Sequence, residues 1–230
     1  MSIAQNIEDL KKRIETSAKI AGRDPLDIKL LSITKTHSVE AIEIALDNNI
    51  EFIGENRVQE AEQKLPFLKG RYKEFHFVGH LQSNKIKQLM KLEPALIHSI
   101  DTLSTAQKLN DHLSGISKKQ AVLVQVNASG EESKFGIKPE ETLDFINDLS
   151  ELPNLKVEGL MTIGMFTTNE ENIRNCFRTL KKLFEKIKEN PKVEMKYLSM
   201  GMTNDFEIAI EEGANIIRIG SAIFGSRNKR

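Results

Sequence analysis

The sequence predicts an α/β protein built as one (β/α)8 TIM barrel with an additional N-terminal helix. Eight short apolar runs recur along the 230 residues, separated by longer segments of helical period. Several runs are continuously apolar rather than alternating, as expected of parallel strands covered on both faces. The length also sits close to the ~250 residues usual for such a barrel. An open doubly wound sheet is the competing architecture, but no Gly-x-Gly-x-x-Gly pattern follows the first run, which weakens its dinucleotide-binding form. No Pro-, Ser- or Gly-rich linker divides the chain, so residues 1–230 read as one domain.

The first helix is signalled by Ser2 and Gln5 at capping-box spacing and by the stripe Ile3, Ile7, Leu10 and Ile14. Glu8 and Lys12 add an i,i+4 pair, and Gly22 and Pro25 end the helix. The strand-like runs follow at Ile28–Thr34, Glu51–Ile53, Phe75–Val78, Leu96–Ile100, Gln120–Val126, Lys156–Ile163, Val193–Leu198 and Asn215–Ile219. Between the sixth and seventh lies the clearest helix. It begins near Thr168, with Glu171 completing a capping box, runs through Ile173, Phe177, Leu180, Phe184 and Ile187, and stops at Pro191. About ten residues follow the last strand, too few for a full eighth helix, so the N-terminal helix is expected to cover that gap.

Composition narrows the function classes. Lys+Arg and Asp+Glu are 33 each, so there is no basic excess to displace counterions from nucleic acid or to hold an anionic membrane. One cysteine, Cys176, excludes an internal disulfide and a Cys-rich zinc site and suits a reducing cytosol. No signal peptide opens the sequence, and no apolar stretch approaches the ~18 residues of a membrane span. A cytoplasmic protein is expected, and the balanced charge suits a monomer.

In a barrel the chemistry lies on the loops that follow the strands. The unusual polar residues gather there: Thr34-Lys35-Thr36-His37, Gly54-Glu55-Asn56-Arg57, Gly79-His80-Leu81-Gln82-Ser83-Asn84-Lys85, Asn127-Ala128-Ser129-Gly130, Ser199-Met200-Gly201-Met202-Thr203-Asn204-Asp205 and Arg218-Ile219-Gly220-Ser221. Lys35 follows the apolar run Leu30-Leu31-Ser32-Ile33, so its stem leaves a buried strand. Partial desolvation lowers a lysine pKa, and a neutral amine forms an imine with an aldehyde. A lysine that reaches solvent or pairs with Glu55 is the plainer alternative. Ser199, Gly201, Gly220 and Ser221 supply small side chains and approachable N–H groups of the kind that bind phosphate at the last two strands, or simply turn the chain. Arg218 must be paired, with a ligand or with a glutamate. The histidines lack zinc spacing, and no P-loop or Gly-x-Ser-x-Gly pattern occurs. Cys176 falls on an apolar helix stripe and reads as structural.

These motifs, together with Gly54-Glu55-Asn56-Arg57-Val58-Gln59-Glu60, His76-Phe77-Val78-Gly79-His80-Leu81-Gln82-Ser83-Asn84-Lys85, Ser133-Lys134-Phe135-Gly136 and Arg218 through Gly225, resemble the YggS/PROSC family of pyridoxal-phosphate homeostasis proteins. The resemblance runs in order from about Leu30 to Gly225; His37 stands where many relatives carry another basic residue, and Ser221 where threonine is common. It implies a barrel like the N-terminal domain of alanine racemase, of fold type III. It further implies that Lys35 holds pyridoxal 5′-phosphate (PLP) as a Schiff base, with Asn56 near the ring and Arg218 facing the pyridine nitrogen. Ser199, Met200, Gly201, Gly220 and Ser221 would surround the phosphate, and Lys134 matches a second lysine of a loop tied to cofactor transfer.

PLP chemistry draws electrons into a protonated ring, which an arginine at the ring nitrogen opposes. A racemase of this type also needs a second acid/base, and Tyr72 and Tyr197 are poorly placed for it. The expectation is therefore a PLP-binding protein of vitamin B6 homeostasis without turnover and without a metal, with PLP-dependent apoenzymes as possible recipients. A PLP-dependent amino-acid racemase is the alternative, and a Schiff-base aldolase on a sugar phosphate is a third reading.

Overall fold

A computed structural model describes residues 2–131 and 133–225. Eight parallel strands close into a barrel in chain order. They are β1 (Lys29–Ile33), β2 (Phe52–Glu55), β3 (Glu74–Phe77), β4 (Leu96–Ile100), β5 (Gln120–Gln125), β6 (Leu155–Met161), β7 (Tyr197–Ser199) and β8 (Ile216–Ile219). The ring closes where β8 pairs with β1, Lys29 opposite Ile216 and Leu31 opposite Arg218. The helices are α1 (Ile3–Ile20), α2 (Val39–Asp47), α3 (Val58–Leu68), α4 (Ile86–Lys91), α5 (Leu103–Gly115), α6 (Thr142–Ser150), α7 (Glu170–Lys188), α8 (Phe206–Glu211) and the single turn α9 (Ser221–Phe224).

α1 stands in the gap the sequence leaves for it, packed on α2, α8 and α9. Ser2 caps it by accepting from the Gln5 N–H. Its C-terminus closes in a Schellman turn, Gly22 N–H to Lys19 O and Arg23 N–H to Ala18 O, for which Gly22 takes a φ of 65°. α7 begins one residue later than the motif suggests. Asn169, not Thr168, accepts the Asn172 N–H with its side-chain amide oxygen, asparagine being among the strongest N-cap residues. Its stripe Ile173, Cys176, Phe177, Leu180, Phe184 and Ile187 is buried as expected. β7 differs more. The Val193 run enters as irregular chain, and pairing starts only at Tyr197, opposite Gly159.

Two apolar cores result. The larger lies between the strands and the helices. The smaller, inside the ring, contains Leu31, Ile33, Leu96, Leu123, Met161 and Ile216. Burying each large apolar side chain stabilises by about 1.5–3 kcal/mol. Polar residues share the ring interior with this second core, and they lead to the site. Among the described residues no helix is long and apolar enough to cross a membrane.

Candidate functional site

Lys35 continues the inward alternation of Leu31 and Ile33, so its stem rises from the ring interior at the C-terminal rim. The chain then turns sharply. Thr36 has a φ of 66°, a left-handed conformation that a β-branched residue avoids. The turn is held by the Thr36 N–H, which donates to Glu60 Oε2 at 2.7 Å, and by its hydroxyl, which donates to the Lys35 carbonyl at 2.6 Å. Beneath it, Lys64 of α3 donates to Thr34 O at 3.0 Å, Glu55 Oε1 at 2.9 Å and Glu60 Oε2 at 3.0 Å. Thr34 Oγ1 donates to Glu55 Oε1 at 2.7 Å. Burial pushes the Glu55 carboxyl up, opposed by Lys64 and Thr34. Burial also raises Glu60, but Thr36 N–H and Lys64 outweigh it and hold the carboxyl below its usual value. Glu55, the sequence's alternative partner for Lys35, is thus taken by Lys64.

Arg218 comes up from β8, one strand away, and its side chain is 6% exposed as a residue. Nη1 donates to Ser199 Oγ and Nη2 to Thr162 O, both at 2.8 Å. Desolvation pushes the guanidinium down to about 10, with Asp205 opposing at longer range. The glutamate partner considered from sequence is not there: among the described residues no carboxylate is in ion-pair contact with Arg218. Asn56, following β2, keeps a buried Oδ1 without a hydrogen-bond partner. Its backbone lies so close to Gly79 that a Cβ there would sit 2.0 Å from Asn56 O, which explains the glycine after β3.

These groups line one cavity of about 1480 Å³ at the C-terminal mouth of the barrel. Lys35, Asn56, Arg218, Gly220 and Ser221 all border it, as do His37, His80 and Lys134. Lys134 is tied back to Glu131 and to Gly164 O, the latter at 2.9 Å. Ser199, Met200 and Gly201 stand behind the lining. Ser199 turns its hydroxyl away onto Arg218 and His98, and Met200 is fully buried. Gly201, with a φ of 93°, lies against α8, where a Cβ would come 2.6 Å from the Ala209 methyl. Thr203 and Asp205, from the same rim segment after β7, border the cavity too. Thr203 Oγ1 accepts from Ser221 Oγ at 3.0 Å and fixes the start of α9, while Asp205 Oδ1 accepts the Met202 N–H at 2.6 Å. Glu74 was missed, and His76 and His98 were weighed only as metal ligands; a histidine in the middle of each of the short buried strands β3 and β4 was the available signal. Cys176 is buried, its thiol pushed up to about 11 by desolvation. Among the described residues no cluster of three or more His, Cys, Asp or Glu is arranged to hold a metal.

A closed ring of eight parallel strands with a lysine and an arginine converging on its C-terminal mouth defines a barrel of the alanine racemase N-terminal type, and residues 2–228 match the family described as alanine racemase, N-terminal domain. Alanine racemase of Clostridium difficile 630 shares this fold, with a TM-score of 0.74 at 18% identity, over 96% of this chain and 57% of that one. Nearer relatives match from end to end. The pyridoxal phosphate homeostasis protein of Aquifex aeolicus (strain VF5) is 40% identical over 99% of both chains. That of Helicobacter pylori (strain ATCC 700392 / 26695) is 41% identical over 96% of this chain and 97% of its own. PipY of Synechococcus elongatus PCC7942, solved with PLP bound, superposes with a TM-score of 0.82 at 26% identity, covering 97% of this chain and 100% of that one. The chain belongs to the family of pyridoxal phosphate homeostasis proteins.

Proposed function

We propose that this protein binds PLP in the rim cavity through Lys35 and serves intracellular PLP homeostasis rather than catalysis. The carrying observation is that Lys35 and a buried Arg218, which among the described residues has no carboxylate in contact, line one cavity. The donor set suits an aromatic aldehyde with an anionic tail. Lys35 supplies the amine, which condenses with the aldehyde, releases one water and gives a reversible Schiff base. Asn56 offers an unsatisfied polar atom beside the ring, and Arg218 offers a donor to a ring nitrogen. Gly220 and Ser221, with the Ser199-Met200-Gly201 backbone behind them, are the phosphate side. Lys134, drawn to the mouth by Glu131 and Gly164, is placed to meet PLP on its way in or out.

When bound, PLP supplies an electron sink, and Arg218 blunts it by keeping the ring nitrogen an acceptor. A racemase would also need a second acid/base on the cavity, and both tyrosines are elsewhere. Tyr72 packs beside the outer core, and the Tyr197 ring lies 5.2 Å from Lys29 Nζ at the opposite mouth. Storage and delivery of a reactive aldehyde fit such a site, with PLP-dependent apoenzymes as recipients and a cytoplasmic monomer as the working form.

Purified protein incubated with PLP is expected to show an imine absorption band, and borohydride is expected to fix PLP on Lys35. Lys35→Ala should abolish both. Full stoichiometric labelling of Lys35→Ala, or steady amino-acid racemisation above that variant's background, would overturn the reading.

A further inference from the structure

Below the cavity a single file of hydrogen bonds runs the length of the barrel interior. Arg218 Nη1 meets Ser199 Oγ at 2.8 Å, Ser199 Oγ meets His98 Nδ1 at 3.0 Å, and His98 Nε2 meets His76 Nδ1 at 2.9 Å. His76 Nε2 then meets Glu74 Oε2 at 2.8 Å, and Lys29 Nζ donates to the same oxygen at 2.7 Å. His76, His98 and Ser199 are fully buried. The side chain of Glu74 is 31% exposed, at the opposite mouth of the ring. The file therefore joins the cavity floor to the solvent on the other side of the barrel.

Its direction follows from counting protons. Glu74, held down to about 2 by its hydrogen bond from His76 and by Lys29, is an ionised carboxylate and can only accept. His76 must place its N–H on Nε2. Burial keeps both imidazoles neutral, that of His98 well below its usual range, so each ring has one N–H. His76 Nδ1 is then an acceptor, and His98 must donate from Nε2. That leaves His98 Nδ1 as an acceptor, to which Ser199 gives its hydroxyl proton. Ser199 Oγ is left with lone pairs for Arg218, which can only donate. Every bond points from Arg218 toward Glu74, and each acceptor is polarised by the next.

We infer that His98 is a positioning residue for the ligand: through Ser199, and backed by His76 and Glu74, it holds the Arg218 guanidinium in place at the cavity floor. The inference rests on the PLP reading above. It links buried Arg218 to a carboxylate through a line of oriented dipoles, beside the longer-range charge of Asp205, and it means that a change at the cavity floor is felt along the file.

Long-range proton–nitrogen NMR of protein labelled with ¹⁵N in its histidines tests this, first without and then with PLP. Both His76 and His98 are expected as the Nε2–H tautomer before PLP is added. On saturation their ring resonances should shift, while those of His112, on the outside of the barrel in α5, should not. Ser199→Ala should remove the shift at His98 and weaken PLP binding about tenfold, the scale of one buried hydrogen bond, and Ser199→Thr should restore both. An Nδ1–H tautomer at either ring, or unmoved imidazoles beside bound PLP in the wild-type protein, would overturn the inference alone. Absence of any PLP absorption band in the wild-type protein would overturn the PLP reading, and the positioning role with it. The wild-type spectra decide the matter even where a Ser199 variant fails to fold.

Discussion

Lys35 and Arg218 reach the same cavity from neighbouring strands, yet the chain fastens them in opposite ways. The turn that carries Lys35 is clamped from outside the ring, between the strands and α3, by full charges: Lys64 against Glu55 and Glu60. Arg218 is fastened inside the ring by a chain of neutral dipoles that ends on a carboxylate at the far mouth. A clamp of charges is stiff, and it is fragile to the loss of one partner, because the remaining charge stays buried. A chain of dipoles is weaker at each link but sets a direction. The amine side thus depends on rigidity of the backbone, and the guanidinium side on the orientation of protons.

The sharpest way to break the contrast is Lys64→Met. It leaves Glu55 buried opposite no cation and should cost about 3–5 kcal/mol in urea unfolding, with Glu55→Gln in the same chain recovering part of the loss. A cost below about 1 kcal/mol would make the clamp an ordinary surface pair.

The file should answer to acid instead. Glu74 is depressed to about 2 in the fold by His76, then by Lys29, against an ordinary value of 4.5. Its contribution is fully present above 4.5 and is lost as pH falls toward 2. The neutral histidines act in the same sense, because the unfolded chain takes up their protons below about 6.5 while the folded one resists. Glu74→Gln should therefore be less stable than wild type by about 2 kcal/mol at pH 7, and the gap should close as the pH is lowered through that window. A gap that stays constant from pH 7 to pH 3 would remove the charge from the account.

The smallest effect is expected at Thr36. Its left-handed backbone stores about 1–3 kcal/mol, which glycine would release, offset by the greater entropy of glycine in the unfolded chain. Thr36→Gly should gain about 0.5 kcal/mol, read from the urea midpoint at unchanged slope. A clear loss would show that the threonine hydroxyl, rather than Glu60, holds the turn beside Lys35.

The barrel was legible because eight buried parallel strands leave eight apolar runs, and the rim because polar residues placed directly after such runs stand out. Lys35, Asn56, Arg218, Gly220 and Ser221 were found this way, and the structure brings them to one cavity. The start of β7 was not legible: Val193 and Met195 are as apolar as a strand, but backbone pairing begins only where Gly159 lets Tyr197 approach. The role of Ser199 was hidden for a related reason. Sequence places it at the rim in the expected anion site, whereas its direction, inward onto His98, is set by the register between strands far apart in the chain. The same holds for Glu74 and His76, whose inward alternation breaks the expectation that a strand's buried face is apolar. Glu55 and Lys64 were separable only in three dimensions, since nothing in their spacing says which lysine the glutamate takes.

The helix that fills the eighth place in the outer ring comes from the beginning of the chain, and Asn6 Nδ2 donates to the Ile223 carbonyl at 2.9 Å. The seat of α1 is therefore unfinished until α8 and α9, far along the chain, are in place. Its stripe of Ile7, Leu10 and Ile14 is thus covered by segments made some two hundred residues later, and a nascent chain halted between the two carries that stripe uncovered to whatever chaperone meets it.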